Sequence, residues 1–406
     1  MTKQISLIGI LISLSHLISF GQGSAYSGPY TTSAPITWSG INNQTISGLA
    51  IKNTSGHCIS LTNCSNITIQ KCKLGPSLRE GVNLYNCTNI TIVNCAIDSV
   101  ETGLYAAKSS TIKFTDNDVR NVQGPYPKGQ MAQFDNVSGG GNSISYNACE
   151  NITGQSNPED VISLYMSGGL ATDRLQVIGN WIRGGGPSNS GGGIMTGDNG
   201  GSYILIKDNI LVNPGQYGIA IASGTHISIK DNKVYSAKLP FSNVGIYAFN
   251  QYPTECSSDT VMNNTVNWTY KDGQLNNLYN NGSCGVVTGW ATNAYDKDLN
   301  ASVLPAKIIG RAPAVVTESA LTPAEDNKYK IYPNPAVNNL TIETNAEEGN
   351  GSLEIFDLKG QKVIEYPLSE KKTEININIL KAGIYIAKIS TNNQLSEVKK
   401  IIVGGK

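Results

Sequence analysis

A near-verbatim internal repeat constrains this chain more than any other feature. Asn66-Ile-Thr-Ile-Gln-Lys-Cys72-Lys-Leu74 and Asn89-Ile-Thr-Ile-Val-Asn-Cys95-Ala-Ile97 share one pattern, and Thr111-Ile-Lys-Phe-Thr-Asp-Asn117-Asp-Val119 continues it. Looser copies lie at 173–182, 203–211, 226–234 and 258–266. The period is about 22 residues and stretches to about 30 where loops enter. A second apolar pair precedes each copy, as in Ile59/Leu61, Val82/Leu84, Leu104/Ala106 and Ile162/Leu164. Alternation over such short runs specifies strands, and no stretch carries helical periodicity. Each period therefore holds about three strands joined by turns. A unit this small buries its apolar face only by stacking on its neighbours, so the pattern predicts an all-β parallel β-helix.

Stacking also explains the special residues. Asn117, Asn180, Asn209, Asn232 and Asn264 are expected to share one interior turn position with Cys72, Cys95 and Cys149. There their amides would satisfy buried backbone groups from coil to coil. Cys64 and Cys87 share a second position. These cysteines read as small buried hydrophobes rather than metal or redox groups. Cys256 and Cys284 stand outside the ladders in a loop region and are the disulfide candidates of an exported chain.

The composition fits short strands and frequent turns: 43 Gly, with only 15% charged residues. The formal net charge is zero. Nucleic acid is thus excluded as a partner, as is a strong positive field for a highly sulfated polymer. At the N-terminus, Lys3, an apolar run from Ile5 to Phe20 and Gly21-Gln22-Gly23 read as a signal peptide over 1–21. The run is too short to favour a membrane span, and no transmembrane segment is expected.

Residues 40–300 resemble the pectate-lyase-like superfamily of right-handed parallel β-helices, which implies that handedness for residues 22–304. The superfamily includes lyases, hydrolases, epimerases and binding proteins, so it does not fix an activity. An Ala/Pro/Thr-rich linker follows at 305–327. Beyond it stand Tyr329-Lys-Ile-Tyr-Pro-Asn-Pro335, Leu353-Glu-Ile-Phe-Asp-Leu-Lys-Gly360, Leu380-Lys-Ala-Gly-Ile-Tyr385 and Lys399-Lys-Ile-Ile-Val403. Their alternation predicts a small antiparallel β-sandwich over 328–406. The segment resembles the C-terminal sorting domain of type IX secretion substrates in Bacteroidetes. That resemblance implies the secretion machinery as a partner and a secreted or surface location.

One face of the helix is chemically distinct. On the Ile-x-Ile strand the outward residues are bland: Thr68, Thr91, Lys113, Ser145, Gln176, Leu205 and Ser228. On the strand bearing the second apolar pair they are Asn83, Tyr85, Tyr105, Gln133, Asp135, Ser163, Tyr165, Met195, Tyr247 and Phe249. Rings interleaved with amides and an acid suit an elongated sugar-binding surface. The loops 120–130, 153–160 and 183–192 all enter this strand, where a rigid solenoid is expected to carry its site. Asn83, Tyr85, Tyr105, Lys128, Gln133, Tyr165 and Tyr247 are the candidate substrate-binding residues.

The candidate catalytic residues are Asp135, Glu159, Asp160 and Arg183. Asn157-Pro-Glu-Asp160 resembles the paired-acid segment of polygalacturonase-like hydrolases. Ser190-Gly-Gly-Gly-Ile-Met195, however, lacks that family's His, so its mechanism does not carry over whole. Two chemistries stay open. Hydrolysis would use Asp160 and Asp135 as an acid–base pair. Elimination from a uronate would use Arg183, Arg120 or Lys128 against the substrate carboxylate, with Ca²⁺ held by Asp135, Glu159 and Asp160. His57 and His226 are too few and too scattered for a Ser-His-Asp or His-rich metal site. The expected partner is a polysaccharide, taken by a monomer that either cleaves it or binds it as an adhesin.

Overall fold

The computed structural model describes residues 27–188, 190–310, 329–344, 351–357, 362–368, 370–391 and 394–404. The signal peptide expected at 1–21 and most of the linker, 311–327, lie outside the described residues. The described residues up to Gly310 form one compact unit, and those from Tyr329 on form another.

The first unit winds through three parallel sheets in turn. Sheet 1 has eleven strands, from Thr31–Ser33 to Ala294–Tyr295; sheet 2 has ten, from Ile36–Ser39 to Leu278–Asn280; sheet 3 has nine, from Asn42–Ser47 to Thr260–Met262. The sequence repeat sets the register. Ile46, Ile69, Ile92, Phe114, Ile144 and Val177 pair rung on rung in sheet 3 and are all buried. Successive rungs of one side-chain type fill the space between sheets continuously, and this single apolar column is what the stacked coils share.

The interior amide ladder exists, with one change of member. Asn117 donates its backbone N–H to Asn147 Oδ1 at 2.9 Å and its side-chain Nδ2 to the Ile92 carbonyl at 3.0 Å. Asn147, Asn180, Asn209 and Asn232 repeat the motif upward. Asn147, not Cys149, holds the ladder position; Cys149 lies within sheet 1, paired with Val119 and Ile182. The sequence Asn147-Ala-Cys149 offers both residues within reach of one turn, and only the amide supplies a donor and an acceptor together. Asn66 and Asn89, which open the repeated motif, adopt φ of 55°. Asn tolerates that left-handed turn. Their amides form a second, exposed ladder with Asn43.

Cys256 and Cys284 form a disulfide, whereas Cys58, Cys64, Cys72, Cys87, Cys95 and Cys149 are free and buried. The β-helix unit also extends past residue 304, into the stretch read as linker. Leu304 and Ile308 are buried against Val212, with Trp181, Ile210 and Tyr235 beside them. The apolar side chains within Val303-Leu-Pro-Ala-Lys-Ile308 find cover on sheet 1, which a free linker would not give them.

The second unit is antiparallel. A three-stranded sheet (Tyr329–Tyr332, Asn339–Thr344, Lys372–Asn376) and a four-stranded sheet (Gly351–Phe356, Lys362–Leu368, Gly383–Thr391, Gln394–Val403) enclose their own core of Leu340, Ile342, Leu353, Ile355, Ile375 and Ile401. No helix among the described residues is long and apolar enough to cross a membrane.

Candidate active site

Sheet 2 carries two outward columns. Asn83, Tyr105, Gln133, Ser163, Met195, Ala220, Tyr247 and Tyr279 stand rung on rung in one. Tyr85, Ala107, Asp135, Tyr165 and Asp198 form the other. Asp198 reaches its place through a β-bulge. Gly197 has a φ of 64°, and a Cβ there would lie 1.7 Å from the Ser223 carbonyl oxygen, so only Gly fits. The extra residue sets Asp198 opposite Tyr165 and turns a carboxylate outward.

Asp160 ends the turn that enters sheet 2. Its Oδ1 accepts from the Gly192 N–H at 2.9 Å and from the Tyr217 hydroxyl. The glycine run 191–193 makes this possible, since a Cβ on Gly192 would meet the Tyr217 ring at 2.7 Å. Burial pushes the Asp160 carboxyl up to about 7, against the lowering effect of those two bonds, and the charges of Glu159 and Asp198 add to the rise. Asp198 accepts from the Tyr252 hydroxyl, and burial raises its carboxyl as well, with Asp135 contributing. Asp135 accepts from Tyr105 at 2.5 Å and from Asn136 at 2.6 Å. Glu159 is buried and accepts from Ser190 at 2.5 Å.

These groups line a cleft of about 350 Å³ with Gln133, Tyr165, Tyr252 and, from the loop 121–131, Tyr126 and Lys128. Tyr126 is 73% exposed and stands free at the rim. Lys128 is already engaged: its Nζ lies 3.2 Å from Glu80 and 3.1 Å from the centre of the Tyr105 ring. Burial would raise Glu80, but the hydrogen bond from His57 and the charge of Lys128 outweigh it and hold that carboxyl at about 2. The cleft is therefore acidic: Asp135, Glu159, Asp160 and Asp198 face one neutralised cation.

Several expected site residues fall elsewhere. Arg183 closes a strand of sheet 1, where it pairs with Glu150 at 3.0 Å and donates to the carbonyls of Pro305 and Ala306. Arg120 also lies on sheet 1, paired with Asp98 and Glu150 in register. Neither faces the cleft, because each is the last residue before the loop rather than part of it. Tyr247 is only 7% exposed, packed with Met195, Tyr217 and Val244, and its hydroxyl accepts from Gln251. It is no open platform. Asn83 and Tyr85 keep the outward face but lie outside the cleft lining. Asp135, Glu159 and Asp160 do not converge as a calcium cage. Among the described residues the one group of three or more potential ligands within 4.8 Å is Cys256, Asp259 and Cys284, and its two sulfurs are joined to each other. His57 pairs with Glu80, and His226 stacks on Tyr203 with centroids 4.6 Å apart.

Residues 34–195 match the model of the right-handed beta helix region, and residues 330–404 match that of the secretion system C-terminal sorting domain. The chain carries both domains. The sorting domain marks it for secretion to the cell surface or the extracellular space by the type IX machinery. None of the curated proteins matches its sequence. Among solved structures, the catalytic domain of a GH87 alpha-1,3-glucanase in complex with nigerose aligns at 14% identity and a TM-score of 0.48, over 63% of this chain and 50% of that one. This chain thus spans half the length of the glucanase chain. A tailspike protein of E. coli bacteriophage HK620 in complex with a pentasaccharide aligns at 11% identity and a TM-score of 0.33, over 92% and 86% of the two chains. The enzymatically active domain of bacteriophage CBA120 tailspike protein 2 gives 10%, 0.32, 94% and 72%.

Proposed function

We propose that the sheet 2 cleft hydrolyses glycosidic bonds of an extracellular polysaccharide. The observation that carries this reading is geometric: Asp160, held at Oδ1 by the Gly192 N–H and the Tyr217 hydroxyl, lines one cleft with Asp135, Glu159 and Asp198, and burial raises its carboxyl to about 7. Both hydrogen bonds to Asp160 end on Oδ1, which leaves Oδ2 to hold the proton. That proton passes to the glycosidic oxygen as its bond to the anomeric carbon breaks. A water gives its proton to Asp135 and its oxygen to the anomeric carbon. Two carboxyls in acid and base roles are what glycoside hydrolysis requires, and the burial that raises Asp160 gives it the acid role. Elimination is disfavoured, because it needs a free cation to neutralise a uronate carboxylate. Lys128 is committed to Glu80 and Tyr105, and Arg183 and Arg120 are on another sheet.

The test is a screen of the purified protein against neutral and uronic-acid polysaccharides, following reducing ends and the ultraviolet absorbance of an unsaturated product together. Reducing ends without that absorbance are expected. Asp160→Asn should lower turnover by roughly 10²–10⁴-fold while binding persists, and the wild-type rate should fall as pH rises through about 7. An absorbance increase would overturn hydrolysis. Binding with no turnover in any channel would leave a non-catalytic adhesin.

A further inference from the structure

Beyond the cleft, the same face of sheet 2 holds a second hollow of about 370 Å³. Its walls are Phe249, Tyr279, the edge of Tyr247, and the amides Asn243, Gln251 and Asn276; no charged residue lines it. Tyr279 is 48% and Phe249 38% exposed, with ring centres 6.4 Å apart and planes at 89°. The two rings meet edge to face and leave apolar surface open to solvent. The amides hold unused capacity. Asn276 donates Nδ2 to the Asn243 carbonyl at 2.9 Å, and Gln251 donates Nε2 to the Tyr247 hydroxyl at 2.9 Å. Both donations fix the side chains and leave their carbonyl oxygens facing no described donor.

We infer that this hollow is a non-catalytic binding subsite for uncharged sugar residues of the same chain that the cleft cuts. The inference rests on the proposed hydrolytic reading and narrows it to a neutral polysaccharide. Exposed aromatic surface takes the C–H face of a pyranose, and fixed amide oxygens accept its hydroxyl protons. A uronate would find no cation here and four carboxyl groups in the cleft. Asp198 and Tyr247 stand two rungs apart along sheet 2, about 10 Å at strand spacing. One extended oligosaccharide can therefore occupy both places, passing over Ala220 on the rung between them, a member of the apolar cluster that also holds Met195, Tyr217 and Tyr247.

The experiment measures binding of the full chain carrying Asp160→Asn to an array of neutral glucan, mannan and galactan oligosaccharides beside oligogalacturonates. Binding to at least one neutral series is expected, rising with chain length. Adding Tyr279→Ala or Phe249→Ala should weaken it at least tenfold, with the unfolding midpoint used to confirm that each variant folds. Thr68→Ala on the bland face of sheet 3 should leave it unchanged. Binding confined to oligogalacturonates, neutral binding indifferent to both aromatic substitutions, or no binding at all would each overturn the subsite. Neutral binding that needs Tyr279, in a protein whose wild type releases no reducing ends, would sink the hydrolytic reading and leave the subsite standing.

Discussion

Three carboxyls, Glu80, Asp160 and Asp259, show how differently one chemical group is used in this fold. Glu80 is held at about 2 by His57 and Lys128. It stabilises the protein above its ordinary range and loses that effect as pH falls from about 4.5 toward 2. Asp160 and Asp259 behave in the opposite sense, both raised to about 7 by burial. For a raised acid the native state binds the proton more tightly than the unfolded chain, so stability is greatest below the unfolded value and declines as pH rises through 7. At Asp160 the proposed chemistry gives a reason for that cost. Asp259 has none: it is fully buried beside the Cys256–Cys284 disulfide, and its Oδ1 accepts from the Ile227 N–H at 2.8 Å. Asn can make the same acceptance without charge. Asp259→Asn is therefore expected to raise stability at pH 8 by up to about 4 kcal/mol and to change little at pH 4, as read from urea midpoints at the two pH values.

At the scale of elements, the amide ladder fixes each coil on the next. Asn180 accepts from the backbone and side chain of Asn147 and donates to Ile144 and Asn209. Asn180→Ala would leave a buried N–H and a buried carbonyl without partners, at a cost of roughly 2–4 kcal/mol, measurable as a lower denaturant midpoint. Thr91→Ala, on the solvated face of sheet 3, should change it by less than about 0.5 kcal/mol. The ladder, the three-sheet coil and the outward face of sheet 2 were legible because the repeat forces each residue onto the rung above its counterpart. Asp198 was visible as an acid but not as a site residue: strict alternation from Ile194 points it inward, and only the bulge at Gly197 reverses that. Arg183 and Tyr247 differ for other reasons. Arg183 is the last residue of a sheet 1 strand and does not belong to the loop that enters sheet 2. Alternation says which way Tyr247 points from its own strand, but not that Gln251 and Tyr252 pack against it afterwards.

For the molecule as a whole, the two separate cores decide what truncation does. Among the described residues the main β-helix core ends at Val287, with Trp290 packed against it, and the sorting domain encloses its own. Between them, residues 299–310 belong to the first unit by every local contact. Leu304 and Ile308 are buried on sheet 1, Arg183 holds the carbonyls of Pro305 and Ala306, Asn267 donates to the Leu299 carbonyl at 2.8 Å, and the Gly310 N–H donates to Asp118 at 2.7 Å. A chain ending at Gly310 should keep the unfolding midpoint of the β-helix and any hydrolytic activity. It should stay behind the outer membrane in a host with type IX secretion, because the sorting domain is gone. A chain ending at residue 298 also strips this strap. It uncovers Trp181, Ile210, Val212 and Tyr235 and leaves the Arg183–Glu150 pair without its carbonyl partners. Removing two buried aliphatic side chains alone corresponds to roughly 3 kcal/mol or more, so the midpoint should fall clearly while the cleft on sheet 2 keeps its lining. Equal midpoints for the two truncations would refute a structural role for the strap. Export of the shorter chains would place the secretion signal outside residues 330–404.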